Sequence, residues 1–318
     1  MATRTALRSM LAAVADTAAS GQIAARKAIE LAWLFGADVM LYHACYEPAL
    51  AGGPFFDSAR LAAARRDHLE RANDELHEVA RTLGEARVRV RVRTEWQRNI
   101  PAAIARMATR EGVDLVVAEP RYRSGHRRAG LSRIDWEVAR LCPVPLLLAR
   151  STAPYSKPGI LAAVDPGGHG VRVSSLDACI VRLAAELAEA TDGSVRLVHC
   201  LRQPDVAIPV RLTELRKERA RAAALLKRLA RGAGLSPRSA RIVDGEPVKA
   251  LLQAVTEQDV DLLVLGTIVR GPIRQLFIGS TTEQLMHVAP CDLLLIKPDS
   301  IRLGRRRSRR ESTASMTA

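Results

Sequence analysis

The chain has 318 residues, 48% of them hydrophobic and only 3% aromatic, and carries a net charge of +14. That length fits about two domains, each large enough to bury its own core, and the apolar content excludes a disordered chain. The absence of a run of about 18 apolar residues excludes a helical membrane span. The five cysteines (Cys45, Cys142, Cys179, Cys200 and Cys291) form no C-x-x-C pair, which argues against a disulfide framework or zinc site and for a reducing, cytoplasmic setting.

The first apolar run, Met10–Ala15, is too short for the core of a signal peptide. It recurs deep in the chain at Ile160–Val164, so it reads as a first β-strand. Three more matches follow in order. GADVMLYHACYEP from Gly36 resembles DGSVRLVHCLRQP from Asp192, His43 falling on His199. VDLVVAE from Val113 matches VDLLVLG from Val260, and PVPLLLAR from Pro143 matches PCDLLLIK from Pro290. The last two share one offset, Asp114 falling on Asp261 and Arg150 on Lys297. Four ordered matches identify an internal duplication. The domains are placed at 1–150 and 158–300, joined by the short polar linker 151–157, STAPYSK. A basic tail at 301–318 holds six arginines against Glu311.

In the second copy the expected elements alternate. Ile160–Val164 is a strand, Ser174–Ala190 a helix, Val195–Cys200 a strand and Arg211–Gly232 a helix. Ala240–Val243 is a short strand, and Gly245-Glu246-Pro247 opens a helix, Pro247 suiting its first turn. Asp261–Leu265 is the fourth strand, a helix starts near Ser280, and Asp292–Lys297 is the fifth strand. This alternation predicts a five-stranded, doubly wound parallel sheet in each copy. Apolar stretches such as LLVL fit strands buried on both faces.

In such sheets ligands bind beyond the carboxyl ends of the strands, where the strand order reverses. The fourth strand leads into Gly266 and the loop GTIVRGPIRQLFIGST, through Gly271 to Gly279, Ser280 and Thr281. Glycines permit close approach of a ligand. A helix starting at Ser280 offers free N–H groups and a positive dipole end to a phosphate, and Arg270 and Arg274 add charge. The same residues also read as a capping box, Ser280-x-x-Glu283, closing an ordinary helix start. Asp165 ends the first strand, either as an acceptor for a ribose or base or as part of a plain Asp-Pro-Gly-Gly turn. His199-Cys200 ends the second strand, and a structural histidine is expected there.

These residues carry a resemblance to the universal stress proteins, whose nucleotide-binding branch has the loop pattern G-x-x-G-x9-G-[ST]. Gly266 matches the first glycine and Gly279-Ser280 the end, while Val269 stands where the pattern has its second glycine. The tandem arrangement is similar to the E-type double members of the family, through DWEVARLCPVPLLL near Asp135, LGT before the loop and STTEQLMHVAPCDLLLIKPD from Ser280. The resemblance implies two Rossmann-like domains of the adenine nucleotide alpha-hydrolase type. It implies ATP or a related adenine nucleotide, with any magnesium bound through it, in the second domain alone. Asp165 would contact the nucleoside and Cys200 would pack near the adenine. Leu265, Gly266, Arg270, Gly271, Gly279, Ser280 and Thr281 would form the loop. It also implies pairing of domains along their last strands, here within the chain between Leu146–Arg150 and Leu293–Lys297, with a homodimer as a further arrangement.

The first copy departs from the pattern. Glu119 stands in place of Gly266, Ser132 of Gly279 and Arg133 of Ser280, while Ala15 replaces Asp165. A carboxylate at Glu119 would repel phosphate, so loss of nucleotide binding is expected there. No nucleophile, base and orienting group converge and no metal-ligand spacing occurs. A regulatory binding protein of the stress response is therefore expected rather than an enzyme, slow ATP hydrolysis being left open. Two alternatives stand beside it: an apolar or lipid-like ligand, and contact of the arginine tail with nucleic acid or an anionic surface.

Overall fold

The computed structural model describes residues 7–18, 22–52, 58–84, 87–120, 132–166, 171–202, 209–267 and 278–298. Val269, Arg270, Gly271, Arg274 and the arginine tail lie outside the described residues. The chain divides into two compact units, Met1–Pro154 and Tyr155–Ala318, and the division falls within the segment 151–157.

The first unit runs β1 (Ser9–Ala13), α1 (Ile23–Phe35), β2 (Asp38–Cys45), α2 (Ser58–Leu83), β3 (Val90–Trp96), α3 (Ile100–Glu111), β4 (Leu115–Ala118), α4 (Arg133–Leu141) and β5 (Leu146–Leu148). Its strands are parallel in the order β3-β2-β1-β4-β5, with Met10 opposite both Val39 and Leu115. The second unit repeats this as β6 (Gly159–Ala163), α5 (Val171–Thr191), β7 (Ser194–Leu201), α6 (Pro209–Gly232), β8 (Ala240–Asp244), α7 (Pro247–Glu257), β9 (Leu262–Gly266), α8 (Ser280–Val288) and β10 (Asp292–Ile296). The order is again β8-β7-β6-β9-β10, all parallel. Each copy thus has the expected five-stranded α/β sheet, whose order reverses between β1 and β4 in the first and between β6 and β9 in the second.

Local chemistry explains the elements. The inner strands β4 and β9 are apolar and buried on both faces, whereas β3 and β8 alternate as edge strands do. Asn99 caps α3 by accepting Ala102 N–H at 3.1 Å, and Glu246 caps α7 by accepting Lys249 N–H at 3.0 Å, each with proline in the first turn. The duplicated Val-Asp-Leu motif has one role in both copies. Asp114 Oδ2 accepts the N–H groups of Arg8 and Ser9 at 2.9 and 3.1 Å, and Asp261 Oδ2 accepts that of Gly159 at 2.8 Å. A carboxylate ahead of the fourth strand therefore pins the start of the first strand in each unit.

Element boundaries shift by one to three residues from the sequence expectation. Helix α5 begins at Val171, three residues before the expected Ser174. Strand β1 stops at Ala13 rather than Ala15, because the Ala15 N–H leaves the ladder to meet Glu119.

Candidate functional site

The carboxyl ends of β7, β6 and β9 bring Cys200, Asp165 and Gly266 onto one rim. Ala163 registers with Val198 on one side and with Leu265 on the other, so Asp165 stands level with Cys200 and Thr267. Asp165 keeps its side chain half exposed, and its backbone N–H donates to Asp177 Oδ1 of α5 at 3.2 Å. His199 is buried, and its Nδ1 lies 3.1 Å from the carbonyl of Val164, which can only accept. His43 makes the same bond to Val14 at 3.0 Å in the first copy. Both histidines thus tie the second strand to the end of the first, as expected for structural residues. The Nδ1 of His199 lies 3.8 Å from Asp165 Oδ1.

Cys200 is half-buried, and burial, with Glu246 and Asp165 as anionic neighbours, pushes its thiol up to about 11. Only the thiolate is a nucleophile, so near neutral pH this group offers a surface for packing rather than for attack.

Gly266 answers to packing within the fold. A Cβ at this position would lie 2.7 Å from Leu176 Cδ2 and 3.0 Å from Ile180 Cδ1. Both side chains are fully buried, so neither can swing away. Close approach of α5 to β9 therefore requires the glycine. Gly266→Ala is expected to destabilise the protein by about 1–3 kcal/mol through overpacking, read as a lower urea midpoint at unchanged slope. Leu265, buried beside it, belongs to the same core.

At the far end of the loop, Gly279 is the N-cap of α8 with φ 93° and ψ 132°. That conformation favours glycine. Among the described residues no side chain caps the helix, so the Ser280-x-x-Glu283 box does not form. The helix starts one residue too early for it: Ser280 already lies inside the first turn, and Glu283 N–H bonds to Gly279 O at 2.9 Å as an ordinary helical link. Ser280 is exposed and Thr281 half-buried. Thr282 Oγ1 donates to Gly266 O at 3.3 Å, fastening the first turn of α8 to the end of β9. The result is a rim with one half-exposed carboxylate at Asp165 and one helix start whose N–H groups take no side-chain cap.

The first copy closes the same two places with its own side chains. Glu119 accepts Ala15 N–H at 3.2 Å and Ala24 N–H, in the first turn of α1, at 3.4 Å. Ser132 caps α4 in a capping box: its Oγ accepts Asp135 N–H at 3.3 Å, and its own N–H donates to Asp135 Oδ2 at 2.9 Å. A carboxylate and a cap thus occupy the positions where the second copy presents Gly266 and Gly279.

Asp177, Thr282 and the pair Leu176 and Ile180 were not among the expected site residues. Asp177 had a visible signal: a carboxylate within the helical stripe that also carries Ile180, Val181 and Ala184.

Residues 7–150 and 160–297 each match the model of the universal stress protein family. The chain belongs to the universal stress protein family. Its two domains make it a tandem universal stress protein. Universal stress protein E of Escherichia coli K12 is 24% identical over 294 residues, covering 90% of this chain and 93% of that one. A single-domain universal stress protein of Thermus aquaticus is 31% identical over 147 residues, 43% of this chain and 97% of its own length. Among solved structures, a functionally unknown protein from Pseudomonas aeruginosa aligns with a TM-score of 0.72 at 22% identity, covering 96% of this chain and 99% of that one. A universal stress protein from Archaeoglobus fulgidus aligns at 0.65 and 15%, covering 93% and 100%. These likenesses bear on the universal stress protein fold.

Among the described residues no helix is long and apolar enough to cross a membrane, and no group of three or more His, Cys, Asp or Glu is placed to hold a metal ion. None of the five cysteines forms a disulfide among the described residues.

Proposed function

We propose that the second domain binds an adenine nucleotide such as ATP, and that the protein acts in the stress response as a nucleotide-responsive binding protein rather than as an enzyme. The observation that carries this reading is the contrast between the two helix starts. Among the described residues the first turn of α8 takes no side-chain cap and begins at a glycine of positive φ, whereas the equivalent α4 is closed by Ser132 and Asp135. A helix N-terminus without a side-chain cap favours a phosphate through its N–H groups and dipole. Asp165, half exposed on the same rim, supplies an acceptor for ribose or base, and Cys200 a small apolar wall. Any magnesium would arrive with the phosphates. The binding role, as against catalysis, is supported by the protonated Cys200 thiol and by the engagement of His199 with Val164.

The test is calorimetry of ATP against the wild type, Gly279→Glu and Val269→Gly. Wild-type binding in the micromolar range, about 8 kcal/mol, is expected. It should be lost in Gly279→Glu, which sets a carboxylate at the start of α8. Folding of that variant is checked by circular dichroism, because a non-glycine residue at φ 93° is strained. Heat seen only with Val269→Gly would mean that the loop excludes nucleotide, and would favour an apolar ligand. No heat in any of the three would defeat the nucleotide reading.

A further inference from the structure

Asp177 lies in the second turn of α5 with 2% of its surface exposed. One carboxyl oxygen accepts the backbone N–H of Asp165, and the other, Oδ2, is enclosed with no hydrogen-bond partner among the described residues. The first copy shows how a carboxyl group satisfies both its oxygens at the corresponding N–H. There Glu119 accepts Ala15 N–H with one oxygen and Ala24 N–H with the other. Among the described residues Asp177 has no second bond, and a buried, half-satisfied carboxylate is strongly disfavoured against its neutral acid.

The surrounding groups reinforce this. From the end of β6, the carboxylate of Asp165 is the charge that acts on Asp177. From β7, His199 Nδ1 is engaged by the Val164 carbonyl and lies 3.8 Å from Asp165 Oδ1, and the Cys200 thiol stays neutral. From β9, Leu265 and Gly266 carry no charge. On α5 itself Cys179, Arg182 and Glu186 engage one another farther along the helix, at 3.8 and 3.9 Å.

We propose that Asp177 holds a proton in the native protein near neutral pH, and that losing it weakens binding of an anionic ligand on the rim at Asp165. The ligand half of this proposal rests on the nucleotide reading above, and the proton half does not. Burial, joined by the Asp165 charge, raises the Asp177 carboxyl to about 7. Ionisation would place a second negative charge against Asp165. It would also leave Oδ2 in need of a donor, which disturbs the contact that holds the Asp165 N–H. Phosphate ligands would then bind best on the acid side of neutrality.

Two measurements on the full chain decide it. The first is a carboxyl-carbon NMR titration of aspartate-labelled protein, the Asp177 resonance being assigned by its loss in Asp177→Asn. The second is ATP calorimetry at pH 6 and pH 8 for both proteins, where the ratio between them cancels the nucleotide's own titration. A midpoint near 7 is expected, with wild-type affinity falling roughly three- to tenfold relative to Asp177→Asn between the two pH values. A midpoint near the ordinary 3.8 overturns the proposal. A midpoint near 7 with parallel affinity profiles overturns the coupling. A midpoint near 7 with no ATP binding at either pH defeats the nucleotide reading and the coupling together, and leaves the buried proton established.

Discussion

Glu119→Ala is expected to destabilise the first domain by about 2–4 kcal/mol. The carboxylate accepts Ala15 N–H and Ala24 N–H in partly buried surroundings, and hydrogen bonds to a charged group each contribute roughly 1.5–3 kcal/mol. Alanine leaves both donors without their acceptor and opens the seam between β1, β4 and the first turn of α1. Glu119→Gln keeps one acceptor oxygen and should cost about half as much. The readout is selective, because the chain has three tryptophans, Trp33, Trp96 and Trp136, all in the first domain. Urea unfolding followed by tryptophan fluorescence therefore reports on the domain that carries Glu119. A loss of less than about 0.5 kcal/mol would mean that water replaces the carboxylate and that its contacts are incidental. The alanine variant should gain no ATP site, since Ser132 and Asp135 still close α4.

Much of the fold was readable because it is written twice. The Val-Asp-Leu and Leu-Leu-Leu matches locate β4, β5, β9 and β10, and the structure shows why the aspartate recurs: it holds the start of the first strand in each copy. Family membership follows from the same segments. Site residues were less legible, because their roles depend on contacts distant in sequence. Gly266 reads in sequence as room for a ligand, yet the side chains that need it glycine come from Leu176 and Ile180, about ninety positions earlier. Ser280-x-x-Glu283 has the letters of a capping box, but the helix begins one residue too early for Ser280 to cap it. The working capping box of the first copy is Ser132 with Asp135, at the positions of Gly279 and Thr282, one residue ahead of the letters that suggested a box in the second copy. A single carboxylate in an amphipathic helix ordinarily lies on the solvent side, and the position of Asp177 in the apolar stripe is the one hint in the sequence that it does not. Only the pairing with Asp165 N–H reveals that it faces inward.

The stability of the second domain should fall as pH rises from about 4 to about 7, and Asp177→Asn should abolish that part of the fall. In the unfolded chain Asp177 ionises at its ordinary value of 3.8, whereas burial with Asp165 nearby raises it to about 7 in the native protein. Between these values the unfolded state has released a proton that the native state still holds, so rising pH favours unfolding. Below about 4 both states are protonated and the group has no net effect. Above about 7 both are ionised, and the full penalty is present and constant. Roughly three pH units at 1.36 kcal/mol each set an upper bound of about 4 kcal/mol. Asparagine has the shape of the neutral acid and no proton to lose. The variant should match the wild type near pH 4 and be more stable by up to this amount at pH 8. Circular dichroism of urea unfolding at the two pH values supplies the comparison. The difference between the differences isolates Asp177 from every other titrating group, because those are common to both proteins. A variant that is less stable than the wild type at pH 8, or displaced by the same amount at both pH values, would mean that the native carboxyl is ionised and finds a donor for Oδ2 in solution.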